Sequence, residues 1–264
     1  MPPSQTRLDF DPARDGFAFA NSFRWTEADL DFLDRMVRPL STAGAALLPA
    51  AGAALTGGTR GFAAGGALGL GLGRAGLGTG LVRAAARQWA SFGLCGGMAL
   101  AAAERWPHRG GLPTAELKQE HVRPLLWRRQ ARTLRASGPA FARHWLAARL
   151  GRPTPSADLR REWDGIRRQI DAGRPVVLGL AGDAPDPFSQ HQVLAFGYAG
   201  GSDQDTLFVY DPNAPGKERT IAIALSGAET SLTTDLPVGP TARGGYHVST
   251  RPGRLSMVFR VPVA

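Results

Sequence analysis

The hydrophobic period of this chain changes once, at Gly173, and that change restricts its fold class more than any other feature. Before Gly173, apolar residues recur at helical spacing: Leu30, Leu33, Met36 and Val37, then Val82 to Trp89, Cys95 to Trp106, Thr114 to Leu134, Pro139 to Leu150, and finally Leu159, Trp163, Ile166 and Ile170. Thr26 with Asp29 three positions on resembles a capping box for the first of these helices, and Pro39 stops it. Pro124 predicts a bend, Ser156 is an N-cap candidate, and Gly173 closes the last helix. After Gly173 the period is that of strands: Pro175 to Leu180, Gln192 to Tyr198, Thr206 to Tyr210, Arg219 to Leu225, and a last one around Leu255 to Val261. Gly200-Gly201-Ser202-Asp203 reads as a hairpin turn, so the strands on either side should be antiparallel neighbours. Helices first and antiparallel strands second make an α+β fold.

Ahead of that pattern the chain divides into two further parts. Residues 1–40 form an arm, in which Phe10, Phe17, Phe19, Phe23 and Trp25 are spaced to dock their rings on a core, followed by the first helix. Residues 41–81 form a Gly/Ala-rich extension, and residues 82–264 carry the main domain. In the extension only Arg60 and Arg74 are charged, but Ala and Gly dominate and Pro49 interrupts it. A membrane span needs about 20 strongly apolar residues, so the extension is expected to pack on, or trail from, a soluble domain, with membrane contact through it the lesser reading.

The net charge of +9 and a pI near 11 suggest an anionic partner, but the excess is almost all Arg, with Lys118 and Lys217 the only lysines. No zinc-ligand pairs, RNP-like aromatic strand or basic zipper accompanies it, which argues against nucleic acid. A single cysteine among 264 residues excludes an intramolecular disulfide, and with it a disulfide-stapled secreted scaffold. The first seven residues lack the basic start and apolar run of a secretory signal, so the expected address is cytoplasmic, or exported by a signal-less route.

The lone cysteine therefore needs another explanation. In Phe92-Gly93-Leu94-Cys95-Gly96-Gly97-Met98-Ala99 a Gly-bearing turn leads into an apolar helical run, which puts Cys95 at a helix start. Unpaired N–H groups there favour thiolate over thiol, and the two glycines after it are expected to leave the sulfur open. The alternative is a small buried hydrophobe, the common fate of a free cysteine. His191 stands at the mouth of an apolar strand, a context that His108, His121, His144 and His247 lack. Asp211, at the end of the following strand, heads Asp211-Pro212-Asn213-Ala214-Pro215-Gly216, which is also ordinary turn chemistry. The intervening hairpin can bring His191 and Asp211 side by side, where a carboxylate fixes the imidazole tautomer.

A cysteine at a helix start, then a histidine on a strand, then an aspartate on the next resembles the papain-like cysteine peptidase superfamily. Within it, His191-Gln192-Val193-Leu194 and Tyr210-Asp211-Pro212 resemble the double-glycine-leader (bacteriocin-processing) branch. Gly93-Leu94-Cys95-Gly96-Gly97-Met98 is similar to the motif of an uncharacterised microbial group of the same fold. The resemblance implies a papain-like α+β domain, with the nucleophile Cys95 at a helix N-terminus packed on the C-terminal sheet. Its implied activity is thiol hydrolysis or acyl transfer on a peptide or amide-bearing substrate. It further implies that Gln88, seven residues before Cys95 where the superfamily places a glutamine about six before, completes an oxyanion hole with the Cys95 N–H. Two other readings share the fold: a toxin-like effector with residues 41–81 as a membrane-contacting arm, and an inactive module that binds peptide. No cofactor is expected. A metal is not expected either, because zinc sites use close-spaced ligand pairs, and the Gly-rich tract lacks the Gly-Lys-Ser/Thr ending of a phosphate loop.

Overall fold

Strand β3, His191–Ala199, is apolar on both faces, and the rest of the fold follows from covering both. The computed structural model describes residues 5–33, 35, 92–108, 113–185, 189–225, 230–236, 248–251 and 253–263. The 41–81 extension, the helical reading over Val82 to Trp89, and Gln88 lie outside the described residues.

The chain forms two compact units: residues 1–21, 94–184 and 189–264 in one, and residues 22–93 and 185–188 in the other. In the smaller unit, Asp29 Oδ2 accepts from the Thr26 N–H (2.8 Å) and Thr26 Oγ1 accepts from the Asp29 N–H (3.3 Å), a reciprocal cap for the helix over 27–33. Trp25 stacks on Phe92, with ring centroids 4.0 Å apart.

The larger unit is an antiparallel sheet with helices on its faces. Its strands are β1 (Gln5–Arg7), β2 (Val176–Ala181), β3, β4 (Asp205–Tyr210), β5 (Glu218–Ala224), β6 (Ser231–Thr234) and β7 (Met257–Arg260), in the order β6-β5-β4-β3-β2-β7. Strand β2 covers only residues 191–195 of β3, and β1 takes up the edge left at Gly197 to Ala199. Leu255 donates to Leu232 beside β6, and two residues later β7 begins its pairing with β2, so one short stretch joins both sheet edges and curls the sheet.

Among the described residues four α-helices accompany it: α1 (Pro12–Asp15), α2 (Cys95–Arg105), α3 (Gln119–Arg149) and α4 (Ser156–Asp171). On one face, Leu159, Trp163, Ile166 and Ile170 of α4 pack against Val176, Leu178, Val193 and Ala195. On the other, Ala99, Leu100 and Ala102 of α2, with Phe10 of the arm, meet Val177, Leu194, Phe196 and Tyr210. Each large side chain buried in these layers contributes about 1.5 to 3 kcal/mol. The arm is pinned along this second face: Phe17 is fully buried, and its N–H donates to the Tyr210 hydroxyl at 3.1 Å.

Two boundaries differ from the sequence reading, and the smaller is that Ser156, expected as an N-cap, is the first residue of α4, behind Pro155. The stretches expected as two helices, with a bend at Pro124, form the single helix α3, and Thr114–Glu116 is a separate 3-10 turn. Pro124 and Pro139 both lie on the exposed side of α3, as do Glu120 and Arg135, whose carbonyls lose their donors four residues on. Water can serve those carbonyls, while the buried Val122, Leu126, Trp127, Ala131 and His144 hold one continuous face.

Candidate active site

Helix α2 begins at Cys95, with Leu94 as its N-cap and no side-chain cap hydrogen bond from that residue. Two distant side chains secure the start instead. Gln130 of α3 accepts the Gly97 N–H at 2.9 Å, and Asn21 of the arm accepts the Leu94 N–H through Oδ1. Both glycines after Cys95 are buried, and their missing side chains face inward rather than toward the sulfur. A Cβ on Gly96 would lie 2.2 Å from Gln192 Oε1 and 2.4 Å from Thr133 Oγ1, and one on Gly97 only 2.3 Å from the Leu126 backbone carbonyl oxygen. The glycines therefore let α2 seat against α3 and β3. Cys95 itself is partly exposed at the helix start, where the positive end of the backbone dipole favours negative charge.

His191 opens β3 and Asp211 immediately follows β4. Leu194 pairs with Tyr210, so Asp211 falls opposite Val193, and His191, two residues away on the same face, becomes its diagonal neighbour. His191 Nε2 lies 2.7 Å from Asp211 Oδ1, with side-chain exposures of 5% and 0%, so water does not dilute the pair. Burial disfavours the imidazolium, but the Asp211 carboxylate and, after it, the charge and hydrogen bond of Cys95 outweigh burial and raise the His191 pKa to about 10. Nε2 is turned to Asp211, and Cys95 is near enough to act on the imidazole through charge and hydrogen bonding. The fold thus brings Cys95, His191 and Asp211 together.

Asp211 Oδ1 also accepts the Asn213 N–H at 2.8 Å, closing a turn that orients the carboxylate. The Asn213 amide presents Nδ2 to His191 Nε2 at 3.3 Å. Its orientation is set from behind. The Leu94 N–H requires an acceptor, so Asn21 Oδ1 faces it and Asn21 Nδ2 donates to Asn213 Oδ1 at 3.1 Å. The acceptor for an Nε2–H is therefore Asp211. Asn21 and Gln130 had no sequence signal: each is a single polar residue whose partners lie far along the chain. His144 sits apart from the site, stacked on Phe259 with its pKa lowered by burial. Among the described residues no cluster of His, Cys, Asp or Glu could hold a metal ion, and no helix is long and apolar enough to cross a membrane.

The comparison with known families bears on what an α+β unit with these residues is similar to. Residues 130–231 match the family model described as Peptidase_C39 like family, which supports the papain-like cysteine peptidase superfamily and a hydrolase of that type. The matched stretch includes His191 and Asp211 and begins after Cys95. No curated protein and no solved structure matches the chain.

Proposed function

We propose that the chain is a thiol hydrolase of the papain-like type acting on peptide or amide bonds, with Cys95 as nucleophile, His191 as proton carrier and Asp211 as the residue that orients His191. The observation that carries this reading is that a single buried imidazole lies 2.7 Å from a buried carboxylate and within interaction range of a partly exposed cysteine at a helix start.

In the proposed reaction Cys95 Sγ attacks the carbonyl carbon, and the oxyanion is held by the Cys95 N–H at the helix start, with Gln88 as the second donor that the resemblance implies. The His191 imidazolium then gives its proton to the leaving amine as the C–N bond breaks, leaving a thioester on Cys95. Water, losing its proton to His191, attacks the thioester and releases the acid and the thiolate. A raised His191 pKa suits this order of events, because the group must enter the cycle protonated. Within the superfamily, His191-Gln192-Val193-Leu194 and Tyr210-Asp211-Pro212 favour the double-glycine-leader branch.

A broad thiol-directed acyl-enzyme probe tests the proposal. Wild type should be labelled on Cys95, Cys95→Ala not at all, and His191→Ala at a small fraction of the wild-type rate. Labelling absent in the folded wild type would instead favour a binding module.

A further inference from the structure

We infer that Asn21, in the N-terminal arm, is a positioning residue that sets the distance between the helix start carrying Cys95 and the turn carrying Asp211; the inference rests on the thiol–imidazole pairing proposed above. Three contacts radiate from this half-buried residue. Its backbone N–H donates to the Pro212 carbonyl at 3.0 Å, its Oδ1 accepts the Leu94 N–H, and its Nδ2 donates to Asn213 Oδ1 at 3.1 Å. Leu94 is the residue before Cys95, and Pro212 and Asn213 directly follow Asp211.

The body of α2 packs on β3 and β4 through Ala99 and Leu100, and Asn21 adds a hydrogen-bonded tie at the helix start itself. Cys95 rides on α2, whose start lacks a cap from its own N-cap residue, whereas His191 and Asp211 are fixed to each other by the register of β3 and β4. Sheet register says nothing about how far α2 stands from the end of β4. A side-chain amide can set that spacing, because its acceptor and donor ends are rigidly about 2 Å apart and each has a backbone-fixed or turn-fixed partner. The arm itself is anchored independently of this side chain, through the buried Phe10 and Phe17 and the Phe17 N–H bond to Tyr210. Removing the amide should therefore loosen the spacing without undocking the arm, and displacements of an ångström or so between reacting groups cost up to about a hundredfold in rate.

The test compares iodoacetamide alkylation of Cys95 at pH 6 in full-length wild type, Asn21→Ala, Asn213→Ala, the double variant and His191→Ala, with thermal unfolding of each. Asn21→Ala should slow alkylation about ten- to a hundredfold toward the His191→Ala rate, while unfolding remains cooperative within a few degrees of wild type. The double variant should be no slower than Asn21→Ala, because both substitutions cut one chain of contacts. Asn21→Ala alkylating like wild type, or strictly additive effects of the two substitutions, would overturn the inference while leaving the thiol–imidazole pairing intact. Wild type alkylating no faster than His191→Ala would overturn the pairing itself, and with it anything Asn21 could position. Should Asn21→Ala fail to fold, the neutral Asn21→Ser is too short to span from the Leu94 N–H to Asn213 and adds no charge at the helix start, so slower alkylation in that variant supports the inference and a wild-type rate counts against it.

Discussion

The two halves of the site are built by different physics. His191 and Asp211 lie at the end of neighbouring antiparallel strands, fully enclosed, with their approach dictated by backbone pairing that fixes every residue at once. Cys95 is partly exposed at a helix start whose place depends on separate side-chain bonds, from Gln130 and Asn21, and on two glycines without side chains. The family match covers His191 and Asp211 and not Cys95. The acid–base half should therefore be robust in geometry and sensitive to charge, and the sulfur half robust in charge and sensitive to packing.

The sharpest way to break this contrast is to remove charge from the sheet half. Asp211→Ala leaves His191 buried without its carboxylate, with only Cys95 left to oppose burial, so its pKa should fall from the wild-type value. Probe labelling should drop by about 10²- to 10⁴-fold, whereas Asn213→Ala, which removes no acceptor for Nε2–H, should cost about tenfold or less. The reverse ranking would mean that Asn213 orients the ring.

A subtler substitution separates charge from orientation. Asp211→Asn keeps an acceptor for His191 Nε2 and loses the negative charge. In wild type the His191 pKa is raised, so imidazolium-dependent labelling, and the stability the ion pair contributes, should be complete below about pH 6.5 and decline as pH rises through about 10. In Asp211→Asn that alkaline limb should move toward lower pH, and a limb that stays put would show the carboxylate is not what raises the value.

Packing changes should act on the other half. Gly97→Ala forces a Cβ against the Leu126 carbonyl, a backbone atom that cannot swing away, and should cost about 1 to 3 kcal/mol of stability together with much of the labelling. Gln130→Ala leaves the buried Gly97 N–H without its acceptor and should cost about 1 to 3 kcal/mol in denaturant unfolding. If either variant labels at the wild-type rate once folded, the sulfur half is less dependent on packing than its geometry implies.

This division also governs what the sequence made legible. The turn at Gly200 to Asp203 predicts antiparallel neighbours, and the structure pairs β3 with β4 in that sense, so the meeting of His191 with Asp211 follows from local chemistry. The helix starting at Cys95 was readable for a similar reason, from a glycine turn ahead of an apolar run. What could not be read depends on distant partners. Gln5–Arg7 is a polar triplet that becomes a strand only because β2 stops short along β3, and Ser231–Thr234 lacks alternation and pairs through β5. Pro124 predicts a bend and Pro139 the start of a new helix, and the solvent-facing position of both rings lets one helix run through them. Asn21 acts across 73 positions to Leu94 and is one polar residue in an aromatic arm until the fold closes.

The most direct measurement is the iodoacetamide alkylation rate of Cys95 against pH in wild type and His191→Ala. A free thiol loses reactivity below about pH 8.5 as its thiolate disappears. If the buried, protonated His191 holds the sulfur of Cys95 in the reactive form, wild type should still alkylate rapidly at pH 6, roughly tenfold or more above the mutant. Equal, slow rates in both proteins until they unfold would make Cys95 a packed core residue and would contradict the thiol-hydrolase reading.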